Sequence, residues 1–391
     1  MIAVERHDGR DDMEKIINWM GGWPNDGFVS ASDWEERLAA AADRSRRGPG
    51  ADTTNPDVSD RLKRMLACGL LNAQTSGEPS HLRLTAGADA ALLSLVKRGL
   101  QPGDVVLTEP LTSRSALQMF RKAGVRVEPV TGDSGGMDPD ALAAAISLQR
   151  PKLVYVSPVC SDPHGAVWPV QRFDAVSRIC RISGVTLLRD DRQAMLLYDA
   201  EKYSENDAKK HAVDGVLSIG QLPPGLVAGL RFGWVAGEPA LLERWFSSPF
   251  GGDSSHNREV LTLEHQAFLE LLQEQPLEPL LDMLRVQCDQ RMRRLTDILS
   301  QKGVRGLRWR KPAGGVHLWL TLPDGLDGEA LLRGAWIRGL MFQPGAPFYA
   351  QEPQRNTLRL TFAYADERQM KLGVSRLVEA IGDFTGRFDI G

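Results

Sequence analysis

Short apolar runs alternate with amphipathic helical stretches along most of the chain after His81. The runs DVVLTEP, KLVYVSP and VTLLRDD are separated by stretches such as ADAALLSLVKRGL and FDAVSRICRISG, whose apolar residues recur at helical spacing. Strands that are apolar on both faces are typical of a parallel sheet buried between two layers of helices. The pattern therefore predicts an α/β fold with a mostly parallel central sheet and helices on both faces.

A different pattern follows the long helical stretch Arg258–Lys302. GVHLWLTLP, GLMFQPG and NTLRLTFAY alternate like strands of a smaller, partly antiparallel sheet, and DGEALLRGAWIRG predicts a helix between them. We therefore predict a large domain over 76–290 and a smaller α+β C-terminal domain over 291–391. Residues 1–75 are predicted to form an N-terminal helical segment and linker that packs on the small domain, with helices around Asp12–Trp19 and Ser32–Arg44.

Composition narrows the functional class. The 391 residues carry a formal charge of −3, with 42% hydrophobic and 25% charged residues, which is ordinary for a globular enzyme. Basic residues do not outnumber acidic ones, so the chain has no excess positive charge with which to bind the phosphates of nucleic acid. No apolar run reaches the roughly 20 residues of a membrane helix. The charged N-terminus lacks the apolar core of a signal peptide, and four scattered cysteines suggest no disulfide framework. These features predict a cytoplasmic protein.

Ligands of open parallel sheets bind beyond the carboxyl ends of the strands. The segments that follow the predicted strands are therefore the candidate site. They are Glu109–Ser113, Pro158–Gly165, Asp190–Gln193 and Gly220–Pro224.

The order of motifs around these segments resembles the fold-type-I, pyridoxal-phosphate (PLP) aminotransferases of class I/II, and 2-aminoadipate-type enzymes in particular. The motifs are LTAGADAAL, LQPGDVVLTEP, YVSPVCSDPHG, LLRDD, IGQLPPGLVAGLRFGWVAG, KPAGGVHLWL, FQPGAPFY and LRLTFA. The resemblance implies the aminotransferase fold, with the small domain completed by the N-terminus. It also implies a homodimer whose active sites lie at the subunit interface.

The resemblance does not extend to most of the residues that would hold the cofactor. Pro224 stands where the family has the lysine that forms a Schiff base with PLP, and proline has no side-chain amine. We therefore expect no covalently bound cofactor, with non-covalent PLP or its amine form, PMP, as an alternative that the lost phosphate donors weigh against. The other altered positions are Ser113 for the stacking aromatic, Asp162 for Asn and Gln193 for Tyr. In the former phosphate-binding segments, Gly87 is followed by Ala88 and Asp89 in place of a small hydroxyl residue, and Gln221 replaces a serine.

Three charged residues stand at positions where the family has the same residue type. In the family, the residue at Asp190 pairs with the pyridinium nitrogen, the one at Arg231 binds the phosphate, and the one at Arg359 holds a substrate carboxylate. We predict proton transfer by Asp190 and Asp162. A structural salt bridge is the alternative for Arg359, and neutralisation of Asp190 or Asp162 is the alternative for Arg231. The predicted substrate-binding residues are Arg359, Arg231, Ser113 and Gln193.

No metal-binding or catalytic role is predicted for two histidines near these positions. A metal site formed by Asp162, Asp190 and His164 matches no recognised ligand spacing, so no metal is expected. His164 is expected at the surface, and His317 in GGVHLW is expected to pack within its strand.

Three functions remain open. The first is an enzyme repurposed to act without lysine-bound PLP on a carboxylate-bearing, amino-acid-derived small molecule, in specialised metabolism. The second uses PLP or PMP without a covalent link. The third is a catalytically inactive partner of an active subunit.

Overall fold

The computed structural model describes residues 16–21, 28–47, 56–69, 71, 77–199, 215–246 and 255–386. Its helices are α1 Ala31–Arg47, α2 Pro56–Cys68, α3 Ala88–Gly99, α4 Arg114–Lys122, α5 Pro139–Gln149, α6 Val170–Ile182, α7 Pro239–Phe246, α8 Ser255–Glu274, α9 Glu278–Lys302, α10 Gly328–Ile337 and α11 Glu367–Thr385. Its strands are β1 Ile17–Asn18, β2 Leu82–Thr85, β3 Val105–Thr108, β4 Arg126–Pro129, β5 Gly132–Asp133, β6 Gly136–Met137, β7 Leu153–Val156, β8 Thr186–Asp190, β9 Val216–Gln221, β10 Gly233–Ala236, β11 Arg308–Trp309, β12 His317–Thr321, β13 Leu340–Met341, β14 Gln343–Pro344 and β15 Thr357–Thr361.

A seven-stranded sheet in the order β2-β10-β9-β8-β7-β3-β4 forms the centre of the large domain. Every pairing in it is parallel except those of β10, which runs antiparallel to both of its neighbours. Successive residues of β7 point to opposite faces. Leu153 and Tyr155 pack in the core with α3, α4 and α7, whereas Val154 and Val156 pack in the core with α5 and α6. The predicted mostly parallel sheet with helices on both faces is confirmed.

The small domain is built on an antiparallel sheet in the order β11-β12-β15-β14. Leu318 and Leu320 of β12 and Leu358 and Leu360 of β15 are fully buried against helices α10 and α11. This alternation of buried and polar positions produces one apolar sheet face. It leaves Arg359 and His317 on the opposite face, toward the large domain.

The N-terminal segment differs from its prediction. Residues 12–15 of the helix expected around Asp12–Trp19 lie outside the described residues, and Ile17–Asn18 is a strand that pairs in parallel with β13. Ile17 joins the small-domain core. In contrast, α1 packs on the large-domain side, where its Trp34 shares a core with Phe268 of α8. The helix therefore follows its apolar stripe onto α8 rather than onto the small domain.

The helical stretch Arg258–Lys302 is divided into α8 and α9 around Pro276, because proline cannot donate a backbone hydrogen bond within a helix. The first half of α9 contributes Leu281 and Leu284 to the large-domain core, and its second half contributes Leu295 and Leu299 to the small-domain core. The predicted boundary between residues 290 and 291 therefore falls inside one continuous helix. Within the described residues, no helix has the length and apolarity needed to cross a membrane.

The backbones of β9, β10 and the start of α3 approach each other closely at the carboxyl edge of the large sheet. A Cβ added at Gly233 would lie 2.6 Å from the backbone of Gly87 and 2.8 Å from the carbonyl oxygen of Gly220. Gly87 itself has φ +89°, a conformation that favours glycine. These glycines bring the first turn of α3 beside Gln221, whose Oε1 accepts a hydrogen bond from the Ala88 N–H at 3.2 Å.

Candidate functional site

A cavity of about 350 Å³, termed the site cavity, lies between the carboxyl edge of the large sheet and the small domain. Residues from both domains border it, as expected for a ligand site between domains. The lining residues are Arg114, Ser115, Gln118, Asp162, Arg192, Gln193, Leu196, Gln221, Pro223, Pro224, Val316, His317, Gln343, Phe348 and Arg359.

Arg359 projects from the central strand β15 of the small sheet and joins the two domains. Its Nη1 donates to Oδ1 of Asp162 at 2.5 Å, and its Nη2 donates to Oε1 of Gln343 at 2.8 Å. The guanidinium also lies over the ring of Phe348, 4.6 Å from the ring centroid, in a cation–π arrangement. The sequence left a carboxylate fork and a structural salt bridge as alternatives. Arg359 makes an ion pair with Asp162 and also borders the cavity.

Asp162 follows β7 and is buried on the opposite side of this ion pair. Burial alone would raise the pKa of its carboxyl group, but the Arg359 guanidinium, helped by Arg192, holds the pKa below its usual range. Asp162 is therefore an ionised group at neutral pH and partly neutralises the arginines beside it.

Asp190, at the end of β8, is only 1% exposed and does not border the site cavity. Tyr155 donates its hydroxyl to Oδ2 of Asp190 at 2.5 Å. Nε of Arg192 donates to both carboxylate oxygens, at 3.0 and 2.9 Å. Arg192 therefore covers the carboxylate, and Arg192 rather than Asp190 meets the cavity. The proton-transfer role of Asp190 stays a prediction.

The side chain of Arg192 also contacts the first turn of α3, so it links Asp190 to that helix. Its Nη1 donates to Oδ1 of Asp89 at 2.7 Å and to Oγ of Ser115 at 3.1 Å. Arg192 lies in the candidate segment Asp190–Gln193, but no role was predicted for it because it stands at none of the functional positions of the family motifs. The sequence signal that could have identified it is an arginine two residues after Asp190, the carboxylate that ends β8.

A second cavity of about 690 Å³, termed the side cavity, lies on the other side of Asp89. Gln221 and Pro224 border both cavities. Arg231 borders only the side cavity and pairs with neither Asp190 nor Asp162, whose partners are Arg192 and Arg359. The side-cavity lining consists of Ala31, Ala86, Gly87, Asp89, Gln221, Leu222, Pro224, Ala228, Gly229, Leu230, Arg231 and Phe232.

The remaining predicted site residues differ in whether they border the site cavity. Gln193 borders the site cavity, whereas Ser113 and Ala88 are buried beside it. Ser113 lies 3.1 Å from the hydroxyl of Ser115 and also hydrogen-bonds Asp162. Ser113 is thus placed to hold Asp162, and substrate binding by Ser113 and Gln193 stays a prediction.

Both histidines are half-buried. His164 is therefore less exposed than expected, and burial lowers its pKa to about 4. His317 borders the site cavity, and burial, followed by the nearby Arg359 charge, lowers its pKa to about 3. His317 is therefore neutral at physiological pH. No cluster of three or more His, Cys, Asp or Glu side chains suited to a metal ion occurs in the described part of the chain.

The match to a known family covers most of the chain. The family model for aminotransferase class I and II matches residues 25–377. The 2-aminoadipate transaminase of Thermus thermophilus is 28% identical over 305 residues, which cover 78% of this chain and 76% of that protein. Aromatic-amino-acid aminotransferase 1 of Thermococcus litoralis is 25% identical over 303 residues, 76% of this chain and 71% of the relative.

Solved structures share the fold. The α-aminoadipate aminotransferase of Thermus thermophilus, complexed with N-(5'-phosphopyridoxyl)-L-leucine, aligns with a TM-score of 0.75 at 24% identity and covers 96% of this chain and 95% of that chain. The kynurenine aminotransferase of Pyrococcus horikoshii, in complex with PMP, aligns with a TM-score of 0.75 at 23% identity and covers 98% of this chain and 95% of that chain.

The expectation that no cofactor is covalently bound is wrong in light of these matches. The family and the solved neighbours are aminotransferases, and two of those neighbours carry phosphopyridoxyl groups. The expectation rested on Pro224, and a proline excludes a Schiff base only at its own position. Lys202, Lys209 and Lys210 lie in 200–214, outside the described residues.

The described residues fit a phosphopyridoxyl group only in part. Asp190 is the carboxylate expected opposite a pyridine nitrogen, but Arg192 already occupies it. Arg231 offers a cation for a phosphate in the side cavity. Neither cavity is lined by a lysine among the described residues.

Proposed function

Because the chain belongs to the aminotransferase class I and II family, we propose that it is an enzyme acting on a carboxylate-bearing, amino-acid-derived small molecule in the site cavity. The observation that carries this proposal is Arg359, a guanidinium that borders the cavity and already holds a carboxylate, that of Asp162, at 2.5 Å. Two parallel N–H donors make arginine well suited to bind a ligand carboxylate.

The neighbours of Arg359 give the ligand an orientation. Gln343 and Phe348 hold the guanidinium from two sides, so little side-chain freedom is lost when a ligand binds. Asp162 is ionised and lies beside the same guanidinium, where it offers an acceptor to a ligand ammonium group. An amino acid would thus place its carboxylate on Arg359 and its amine toward Asp162.

Proton transfer by Asp162 and Asp190 belongs to the same proposal. Asp162 borders the cavity and would act directly on the ligand. Asp190 would exchange a proton with the ligand only after Arg192 moved off its carboxylate, because a guanidinium stays protonated and cannot pass a proton on. The curated relatives named for 2-aminoadipate and aromatic amino acids support an amino acid or its 2-oxo acid as the substrate class. The departures from the family motifs at Asp162, Gln193 and Pro224 favour a place in specialised metabolism.

Replacing Arg359 with glutamine is expected to weaken binding of the ligand roughly tenfold or more, because a charge-assisted pair of hydrogen bonds is lost. A thermal-shift screen of the common amino acids and their 2-oxo acids identifies the best binder, and calorimetry then measures its affinity for both proteins. Arg305→Gln is the matched control, since Arg305 is exposed and borders neither cavity. Equal affinities of the wild type and Arg359→Gln would contradict the proposal.

A non-catalytic partner protein is the alternative function. The pairing of Arg359 with Asp162 and of Asp190 with Arg192 favours it, because Arg359 and Asp190 each have an oppositely charged partner within the chain. Turnover of an identified ligand by the isolated protein would exclude this alternative. Co-purification with a stoichiometric partner from the native host, without turnover, would favour it.

We propose that the chain forms a cytoplasmic homodimer, as the family resemblance implies. Light scattering during gel filtration should give about twice the mass of the 43.1 kDa chain. A monomeric mass at micromolar concentration would contradict the dimer, and recovery in the membrane fraction would contradict the location.

A further inference from the structure

Every acceptor position of the Asp190 carboxylate is already used. Its Oδ1 accepts hydrogen bonds from the backbone N–H of Arg192 at 3.1 Å and from Nε of the same residue at 3.0 Å. Its Oδ2 accepts from the hydroxyl of Tyr155 at 2.5 Å and again from Nε of Arg192 at 2.9 Å. Because a carboxylate offers about four lone-pair positions, a further donor can bind Asp190 only by displacing one of these groups.

The side chain of Arg192 is the group that a ligand can displace. Tyr155 is fully buried, and the backbone N–H of Arg192 belongs to the turn that follows β8. In contrast, the Arg192 side chain is 12% exposed and borders the site cavity, whereas Asp190 does not border it. A ligand that reaches Asp190 from the site cavity must therefore move the Arg192 guanidinium first.

The outer end of the Arg192 side chain has an anchor of its own. Its Nη1 donates to Oδ1 of Asp89 at 2.7 Å and to Oγ of Ser115 at 3.1 Å, and Ser115 donates to the same Asp89 oxygen. Asp89 lies on the first turn of α3, has a side chain that is 60% exposed, and borders the side cavity of about 690 Å³. The guanidinium can thus leave Asp190 and keep its ion pair with Asp89, in space that the side cavity provides.

The charge of Asp190 restricts the ligands that can take the place of Arg192. A buried carboxylate that loses its cation is strongly destabilising unless another cation replaces it. Nη2 of Arg192 lies 2.7 Å from Oδ2 of Asp190 but is not aligned for a hydrogen bond, and this buried nitrogen has no acceptor in the described part of the chain. A protonated pyridine nitrogen supplies both the positive charge and one N–H donor that can be aligned with the carboxylate.

We propose that Arg192 is a latch on Asp190 that opens only for a ligand with a cationic ring N–H, such as a protonated pyridine. In the closed state Arg192 bridges Asp190 and Asp89, and in the open state it pairs with Asp89 alone. Opening lowers the apparent affinity for the ligand, because the binding-competent state is the less populated one. The inference extends the proposed function, in which Asp190 acts only after Arg192 has moved, and it does not depend on the carboxylate bound by Arg359.

The test compares two probes that differ only at the ring nitrogen. They are 4′-deoxypyridoxine 5′-phosphate, which has neither an aldehyde nor an amine, and its carbocyclic analogue, in which a C–H group replaces that nitrogen. Calorimetry at pH 7 should show that the wild type binds the nitrogen-containing probe at least tenfold more tightly than the analogue. Arg192→Leu should bind the nitrogen-containing probe at least tenfold more tightly than the wild type does, because no guanidinium has to be displaced. Arg305→Gln, on the exposed surface, should keep the wild-type affinities.

Three results would each overturn the latch. Equal affinities of the wild type for the two probes would show that the ring nitrogen does not reach Asp190. Weaker binding of the nitrogen-containing probe by Arg192→Leu than by the wild type would show that Arg192 holds the ligand, and the absence of binding by either probe would remove the ligand class. The comparison of probes on the wild type remains decisive if Arg192→Leu fails to fold. Amino-acid binding at Arg359 is measured separately, so each of these failures leaves the proposed function standing.

Discussion

Replacing Asp190 with alanine is expected to lower the free energy of unfolding by about 3–5 kcal/mol, because it leaves a buried cation without its partner. Asp190 is 1% exposed and accepts hydrogen bonds from Tyr155 and Arg192. The side chain of Arg192 is itself only 12% exposed. Its remaining partner, Asp89, has a side chain that is 60% exposed and compensates for little of the loss.

Urea unfolding at pH 7 measures this effect. The matched control is Asp60→Ala, which removes a carboxylate from an exposed pair with Lys63 at 3.3 Å and should cost less than about 1 kcal/mol. The double variant Asp190→Ala, Arg192→Ala should recover part of the loss, since no unpaired cation remains. A loss below about 1 kcal/mol for Asp190→Ala would show that Arg192 does not depend on this carboxylate.

The stability of the chain is expected to fall between about pH 5 and pH 8 because of Glu109. Burial raises the pKa of this carboxyl group from 4.5 to about 8, against smaller opposing hydrogen bonds from Ser157 and Trp168. In this window the unfolded chain has lost the proton and the folded chain still holds it. Stability therefore falls as pH rises, by about 1.4 kcal/mol per unit and about 3–5 kcal/mol in all.

Glu109→Gln should remove this dependence, because glutamine stays neutral in both states. Free energies of unfolding measured at pH 5, 7 and 9 should give a smaller fall for the variant than for the wild type, with the variant more stable at pH 9. Glu78→Gln, which changes an exposed glutamate, should keep the wild-type dependence. Parallel pH profiles for the wild type and Glu109→Gln would contradict a neutral buried Glu109.

The large sheet was predictable because its strands are short apolar runs whose composition differs from that of the helices between them. Val105–Thr108 and Leu153–Val156 are buried along their whole length, as such runs require. The N-terminal strand was not predictable in the same way. Ile17–Asn18 is only two residues long and forms by pairing with Leu340–Met341, a partner more than 300 residues away. Local periodicity contains no information about such a pairing.

The candidate site was predictable in position but not in its pairings. The segments after the strands do meet at one edge, and Asp162, Gln193 and Arg359 border one cavity there. That Arg192 covers Asp190 depends on side-chain torsions and on the proximity of α3, which no sequence spacing determines. The cofactor expectation failed for a different reason. Pro224 and the altered phosphate-binding positions show only that these residues do not hold the cofactor, and they do not exclude binding by other residues.

The 25-residue helix α9 has a mechanical consequence for the site. At 1.5 Å per residue it is a rod of about 37 Å, embedded by Leu281 and Leu284 in one core and by Leu295 and Leu299 in the other. Arg359 and Asp162, which come from different domains, are thus held at a distance set partly by this rod. We therefore expect a change of packing at either end of α9 to shift the two walls of the cavity relative to each other.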